Sequence, residues 1–144
     1  MPFIKVWIHL IWSTKNREKL ISKELRPKLL AHIKDNARSK NIYIDSIECV
    51  SDHIHIVVSM KGDQSISKIV MLLKGESSFW VNDNKLSKFK FEWQDEFICV
   101  SVSESVLPKL REYVKNQEKH HKIKTFEEEY NEFIEKFGFK KFSG

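Results

Sequence analysis

Glycine and proline are scarce in this chain, four and three among 144 residues, which excludes long flexible linkers and low-complexity architectures. Only two cysteines occur, Cys49 and Cys99, each inside an apolar, strand-like run. Lacking any C-x-x-C spacing, they read as reduced and buried rather than as a disulfide or a metal pair. No apolar run is long enough to cross a bilayer. Residues 1–12 are apolar, yet Lys5 and His9 interrupt them and no small-residue cleavage site follows. No leader peptide is therefore expected, and the cytoplasm is the expected location. Repeats and composition breaks are also lacking, so residues 1–144 read as a single domain. What is present suits that reading. A hydrophobic content of 41% supports a core and 31% charged residues a soluble surface. Lys and Arg number 25 against 20 Asp and Glu, a net charge of +5 that is compatible with a polyanionic partner.

Residues 3–13 alternate. Ile4, Val6, Ile8, Leu10 and Trp12 share one face, and Lys5, Trp7, His9 and Ile11 the other, which predicts a strand with its all-apolar face on the core. Ser22 can cap a helix on which Ile21, Leu25, Leu29, Ile33 and Ala37 recur every fourth residue. Strands are predicted over 42–50 and 53–60, with a tight hairpin at Ser51-Asp52. Ser65 opens a second amphipathic helix, interrupted at Gly75, where either a close packing contact or a bend is expected. Residues 89–93 and 97–102 read as a fourth strand, bulged near Asp95-Glu96. Ser103 or Ser105 can cap a long helix to about Lys122, with Pro108 in its first turn. A last helix is predicted over 125–136, striped by Phe126, Tyr130, Phe133 and Phe137 and stopped by Gly138. The order is an α+β, ferredoxin-like split βαβ sandwich with an antiparallel sheet over 1–102 and added C-terminal helices over 103–144.

Strand parity isolates the chemistry. Ile54, Ile56 and Val58 point into the core, while His53 and His55 lie side by side on the open face. Two imidazoles two residues apart can reach one metal ion, or they can be a pair of half-exposed strand histidines. If the first and third strands are neighbours, His9 lies beside them, either as a supporting or DNA-contacting group or as a structural one. On the helix that follows, Tyr113 and Gln117 share a face one turn apart, next to the stripe of Leu107, Leu110 and Val114. Tyr113 can be packing at the edge of the core. Alternatively the two motifs form one site. Gln117 then offers an amide oxygen as a third ligand beside His53 and His55, a Mg²⁺ or Mn²⁺ polarises a phosphodiester, and Tyr113 is the nucleophile. With an unperturbed value near 10, the phenol needs help losing its proton, and no residue in the pattern identifies the helper.

Taken together, these residues resemble the single-tyrosine HUH transposases of the insertion-sequence 200/605 family, including the REP-associated tyrosine transposases. The resemblance runs almost end to end: Ile11-Trp12-Ser13-Thr14-Lys15 with Arg17, Ser51-Asp52-His53-Ile54-His55, Leu73-Lys74-Gly75, Phe91-Glu92-Trp93-Gln94, Ser101-Val102-Ser103, and Tyr113-Val114-Lys115-Asn116-Gln117 with His120-His121. It implies that His53, His55 and Gln117 ligate Mg²⁺ or Mn²⁺ and that Tyr113 is catalytic. The implied reaction is cutting and rejoining of single-stranded DNA through a 5′-phosphotyrosine and a free 3′-OH, with no nucleotide cofactor. The resemblance also implies a homodimer and DNA hairpins at element ends as partners. One departure is that many relatives carry a Gly-aromatic-Gly stretch where this chain has Asp95-Glu96-Phe97.

DNA contacts are expected from Lys15, Arg17, Lys74 and Lys115, and base stacking from an exposed Trp7. Around the site, His9, Asp52, His120 and His121 are candidates for a supporting role. The rival readings are a non-catalytic single-stranded nucleic-acid-binding domain of the same fold, a metal-dependent hydrolase using bound water, and a domesticated relative that processes repeats.

Overall fold

Four strands alternate buried and covered side chains, and the order in which they pair places the histidines. In the computed structural model β1 (Val6–Ser13), β2 (Tyr43–Cys49), β3 (His53–Met60) and β4 (Ile98–Val102) form one antiparallel sheet in the order β2-β3-β1-β4. The structure describes residues 2–119 and 125–137. Helices α1 (Leu25–Ser39) and α2 (Ile66–Asp83) cover one face, giving the expected ferredoxin-like α+β sandwich. Ile8, Leu10 and Trp12 from β1 and Ile54, Ile56 and Val58 from β3 meet Leu29, Ile33 and Leu73 there as one buried cluster. Exposed Ile4 and Val6 lie outside it, so the apolar face of the first segment reaches the core only from Ile8 onward. No described helix is long and apolar enough to cross a membrane.

Local signals act where predicted. The Ser22 hydroxyl accepts from the Leu25 N–H at 3.1 Å and the Ser65 hydroxyl from the Lys68 N–H at 3.2 Å, each satisfying a donor that the first helical turn leaves free. The hairpin between β2 and β3 closes with the Val50 N–H on the His53 carbonyl at 3.0 Å.

Three segments differ from expectation. Residues 89–97 are not a strand, and β4 begins only at Ile98. Phe91 and Trp93 are buried and their neighbours are not, which produces period two without a ladder. Instead, the Asn82 side chain brackets the Phe91 backbone, accepting from its N–H at 2.8 Å and donating to its carbonyl at 2.9 Å. Trp93 donates to the Ser77 hydroxyl at 2.9 Å and makes an isolated bridge to Thr14. Next, the long helix read to Lys122 is interrupted: a single turn at Glu104–Val106 leads into α3 (Leu107–Lys115), which breaks at Asn116 with φ −97° and ψ 25° before residues 117–119 turn helical again. Beyond it, His120, His121 and Gly138 lie outside the described residues. The final helix, α4, spans Phe126–Phe137, and the Thr125 hydroxyl accepts from the Glu128 N–H at 3.2 Å.

Gly75 is the third difference. Helix α2 runs through it, and a Cβ there would meet nothing within 4 Å, so no packing contact demands glycine. Gly75→Ala is therefore expected to raise unfolding stability by about 0.5–1 kcal/mol, read from urea denaturation. A decrease would mean that the helix needs the glycine for a reason other than space.

Candidate active site

The second face of the sheet is covered rather than open. α3 lies over it through Leu107 and Val114, which are buried against Val57. The Arg111 guanidinium ties α3 to β2 by donating to the Asp45 carboxylate at 2.8 and 3.0 Å. This bidentate contact holds the Asp45 carboxyl below the usual range. Trp7, expected as an exposed stacking platform, is partly buried in the same cluster. α4 covers the neighbouring area, with Tyr130 packed on Ile11, Ile98 and Val100. Under these helices His53 and His55 are buried, 1% and 0% exposed, and not half-exposed strand residues.

Each ring is held by a partner on its far nitrogen. The Nδ1 of His53 lies 2.8 Å from Asp52 Oδ1, so this nitrogen carries the proton and Nε2 presents its lone pair to the site. His9 Nε2 and His55 Nδ1 are 2.9 Å apart, and the two rings stack with centroids 5.1 Å apart. Burial first, then the neighbouring His55, pulls His9 from 6.5 down to about 3, so it is a neutral support at physiological pH. The expected supporting residues His9 and Asp52 thus stand behind the imidazoles.

The helix break at Asn116 sets the third expected ligand. The Gln117 Nε2 donates to the Tyr113 carbonyl at 3.1 Å, which turns Oε1 toward His53 Nε2, 3.4 Å away. Tyr113 is half-buried, its ring centroid 5.7 Å from that of His55 and 6.5 Å from that of His9. Burial, and then the Glu129 charge beside it, push the phenol well above its ordinary value. His53, His55, Gln117 and Tyr113 therefore meet within one chain.

Sequence reasoning missed Glu129. This α4 carboxylate is 5% exposed and lies 2.8 Å from His55 Nε2 and 4.0 Å from His53 Nε2. Burial alone would raise its carboxyl, but the hydrogen bond with His55 and the electrostatics of the two neighbouring imidazoles outweigh burial and hold it near 2. A signal existed: Glu129 follows Phe126 by three residues and precedes Phe133 by four, which puts a carboxylate on the helix's apolar stripe. The donors of His53, His55 and Glu129 all lie within 4.8 Å of one another. Two imidazole nitrogens, a carboxylate and an adjacent amide oxygen form a donor set that can hold a divalent ion.

The expected DNA contacts separate. Lys15 and Lys74 line one cleft of about 400 Å³ with Gly75, Glu92 and Gln94. Lys15 pairs with Glu92 at 3.1 Å. Lys74 donates to the Gln94 carbonyl and, at 3.1 Å, to that of Asp95, and partial burial lowers its ammonium below the usual range. Arg17, in a left-handed backbone conformation with φ 55°, faces α4 instead, 3.5 Å from Glu127 and 5.7 Å from the centre of the Tyr130 ring. Lys115 is exposed on α3.

Residues 3–117 match the family model described as "Transposase IS200 like". The chain belongs to that family. IS200-like transposases are DNA-processing enzymes, and two curated relatives carry such names. The ISDra2 transposase TnpA of Deinococcus radiodurans is 26% identical over 114 residues, 76% of this chain and 81% of its own length. The transposase for insertion sequence element IS200 of Salmonella typhimurium is 27% identical over 114 residues, 76% of this chain and 74% of its own. Among solved structures, a Deinococcus radiodurans protein described as a transposase superposes with a TM-score of 0.65 at 23% identity, covering 81% of this chain and 93% of that one. A REP-associated tyrosine transposase bound to a REP hairpin superposes with a TM-score of 0.63 at 17% identity, covering 84% and 72%. Both share the fold of this IS200-like transposase.

Proposed function

We propose that this IS200-like transposase cuts and rejoins single-stranded DNA, with Tyr113 as nucleophile beside a divalent ion held by His53, His55 and Gln117. The observation that supports this most is the meeting of the Tyr113 ring, 5.7 Å from His55 between centroids, with Gln117 Oε1, 3.4 Å from His53. Mg²⁺ or Mn²⁺, when bound, supplies Lewis-acid stabilisation of charge on the phosphate. Asp52 and His9 orient the imidazoles, and the Asn116 break aims the amide. The Tyr113 oxygen bonds to phosphorus as the bond to the 3′ oxygen breaks. A 5′-phosphotyrosine and a 3′-OH result, and the reverse attack by a 3′-OH rejoins the strand.

DNA hairpins are the proposed recognition marks. The hairpin bound by the structural neighbour supports this choice, as do Lys15 and Lys74 at one cleft. A homodimer belongs to the same reading, although the four side chains already meet within one chain. A binding-only module of this fold needs an open aromatic sheet face, whereas here Trp7 is partly buried and helices cover the histidines. Incubation with labelled single-stranded hairpin DNA and Mn²⁺ is expected to yield a covalent adduct that maps to Tyr113. Cleavage without any adduct, or a mobility shift without cleavage, would defeat the proposal.

A further inference from the structure

We propose that Glu129 is a charged ligand of the same divalent ion, so that ion binding fastens helix α4 to the sheet face carrying the histidines. This rests on the metal-dependent reading above and adds a ligand from an element beyond the segment matched to the family, residues 3–117.

Geometry carries the inference. Glu129 Oε1 lies 2.8 Å from His55 Nε2 and 4.0 Å from His53 Nε2. Ligand atoms about 2.1 Å from one ion stand about 3.0–3.4 Å apart in octahedral or tetrahedral arrangements. These two separations bracket that range and all three donors lie within 4.8 Å of one another, so shifts of about an ångström or less bring them toward one ion. The pocket already suits the product of such a shift, because the carboxylate and both imidazoles are buried. Gln117 alone would give the ion two imidazoles and a neutral amide. Glu129 adds the one anionic donor among the described residues around the histidines other than Asp52, whose carboxylate is engaged with His53 Nδ1 on the far side of the ring. Imidazole with carboxylate is the mixed donor set that suits Mn²⁺ and related divalent ions.

Two further contacts of α4 stand beside this ligand among the described residues. Tyr130 packs in a small satellite cluster with Ile11, Ile98 and Val100. The Arg17–Glu127 contact at 3.5 Å joins two solvent-accessible side chains. An ion held by β3 on one side and α4 on the other adds a tie between the sheet and the helix. Because Glu129 also adjoins Tyr113, the docked helix closes over the proposed nucleophile.

The test uses the full chain and Mn²⁺ alone. Dissociation constants are measured by paramagnetic resonance of free Mn²⁺, and amide hydrogen exchange over 126–137 is followed with and without the ion. Glu129→Gln is expected to weaken Mn²⁺ at least tenfold and to abolish ion-dependent protection of α4. Glu128→Gln, which loses the same charge from an exposed position on the same turn, is expected to stay within twofold of wild type. If Glu129→Gln does not fold, as judged by circular dichroism in chelator, Glu129→Asp carries the test with the same expected direction. Affinity within twofold of wild type for the Glu129 variant, or α4 exchange indifferent to the ion, overturns the proposal. A His53→Ala/His55→Ala double variant separates the two failures. Wild-type binding that needs the histidines but not Glu129 removes only this ligand, whereas a wild type that binds no better than the double variant removes the metal centre itself.

Discussion

Tyr113→Phe is expected to lower covalent adduct formation and strand cleavage by at least about a thousandfold, while single-stranded DNA binding changes by less than about threefold. The substitution deletes one oxygen and keeps the ring, so the packing with Val57, Leu107 and Val114 is retained. It does remove the hydroxyl's hydrogen bond to the Glu129 carboxylate, which should cost about 1.5–3 kcal/mol of stability. That environment has a consequence for mechanism. Burial and the Glu129 charge keep the phenol protonated without a countercharge, so the wild type should be inert in chelator and not merely slow. Quantifying adduct on denaturing gels, with binding measured separately by anisotropy, distinguishes loss of the nucleophile from loss of the site. Undiminished cleavage by the Phe variant would transfer the reaction to a metal-bound water and make the protein a hydrolase.

Much of this site could be read from parity. Alternation in 53–60 put His53 and His55 on the face opposite Ile54, Ile56 and Val58, and the core cluster holds those three while Val57, on the other face, packs against α3. His9 followed from the strand order, because β1 lies beside β3 with His9 opposite Val57 and Ile11 opposite His55. Other features were hidden for physical reasons. Phe91 and Trp93 bury on alternate residues, which imitates a strand, but their backbone is held by an asparagine side chain, and side-chain partners leave no periodic trace. The end of α3 depends on Asn116, a residue that a helix tolerates, so nothing in the pattern marked the break that aims Gln117. What covers a sheet face is a tertiary fact. The histidines and Trp7 looked open because the docking of α3 and α4 depends on distant contacts such as Arg111 with Asp45 and Tyr130 with Ile98. Glu129 was masked by its neighbours: amid Glu127 and Glu128 it resembled a solvated acidic turn favouring the helix N-terminus, and only its place on the apolar stripe set it apart.

His55→Ala should have the largest effect of any single substitution, because it strikes both chemistry and stability. The ring is fully buried and touches His9, His53, Tyr113 and Glu129. Truncation leaves a cavity and removes the group nearest the Glu129 carboxylate, a combination expected to cost roughly 2–4 kcal/mol. Cleavage should fall by about a thousandfold or more, beyond what unfolding explains, because the remaining donors no longer enclose the ion. His53→Ala tests the ion-binding contribution. Its ring is also buried and meets the buried Asp52 carboxylate, so truncation removes that contact and costs stability as well, while the ligand loss is equal in kind. If the lost activity reflects ion affinity, raising Mn²⁺ well above the wild-type requirement should restore part of it in His53→Ala by mass action. Activity in either variant that matches wild type once unfolding is corrected for would mean that the imidazoles serve only to pack the sheet against its helices. Tyr113 would then lack the ion on which its chemistry is proposed to depend.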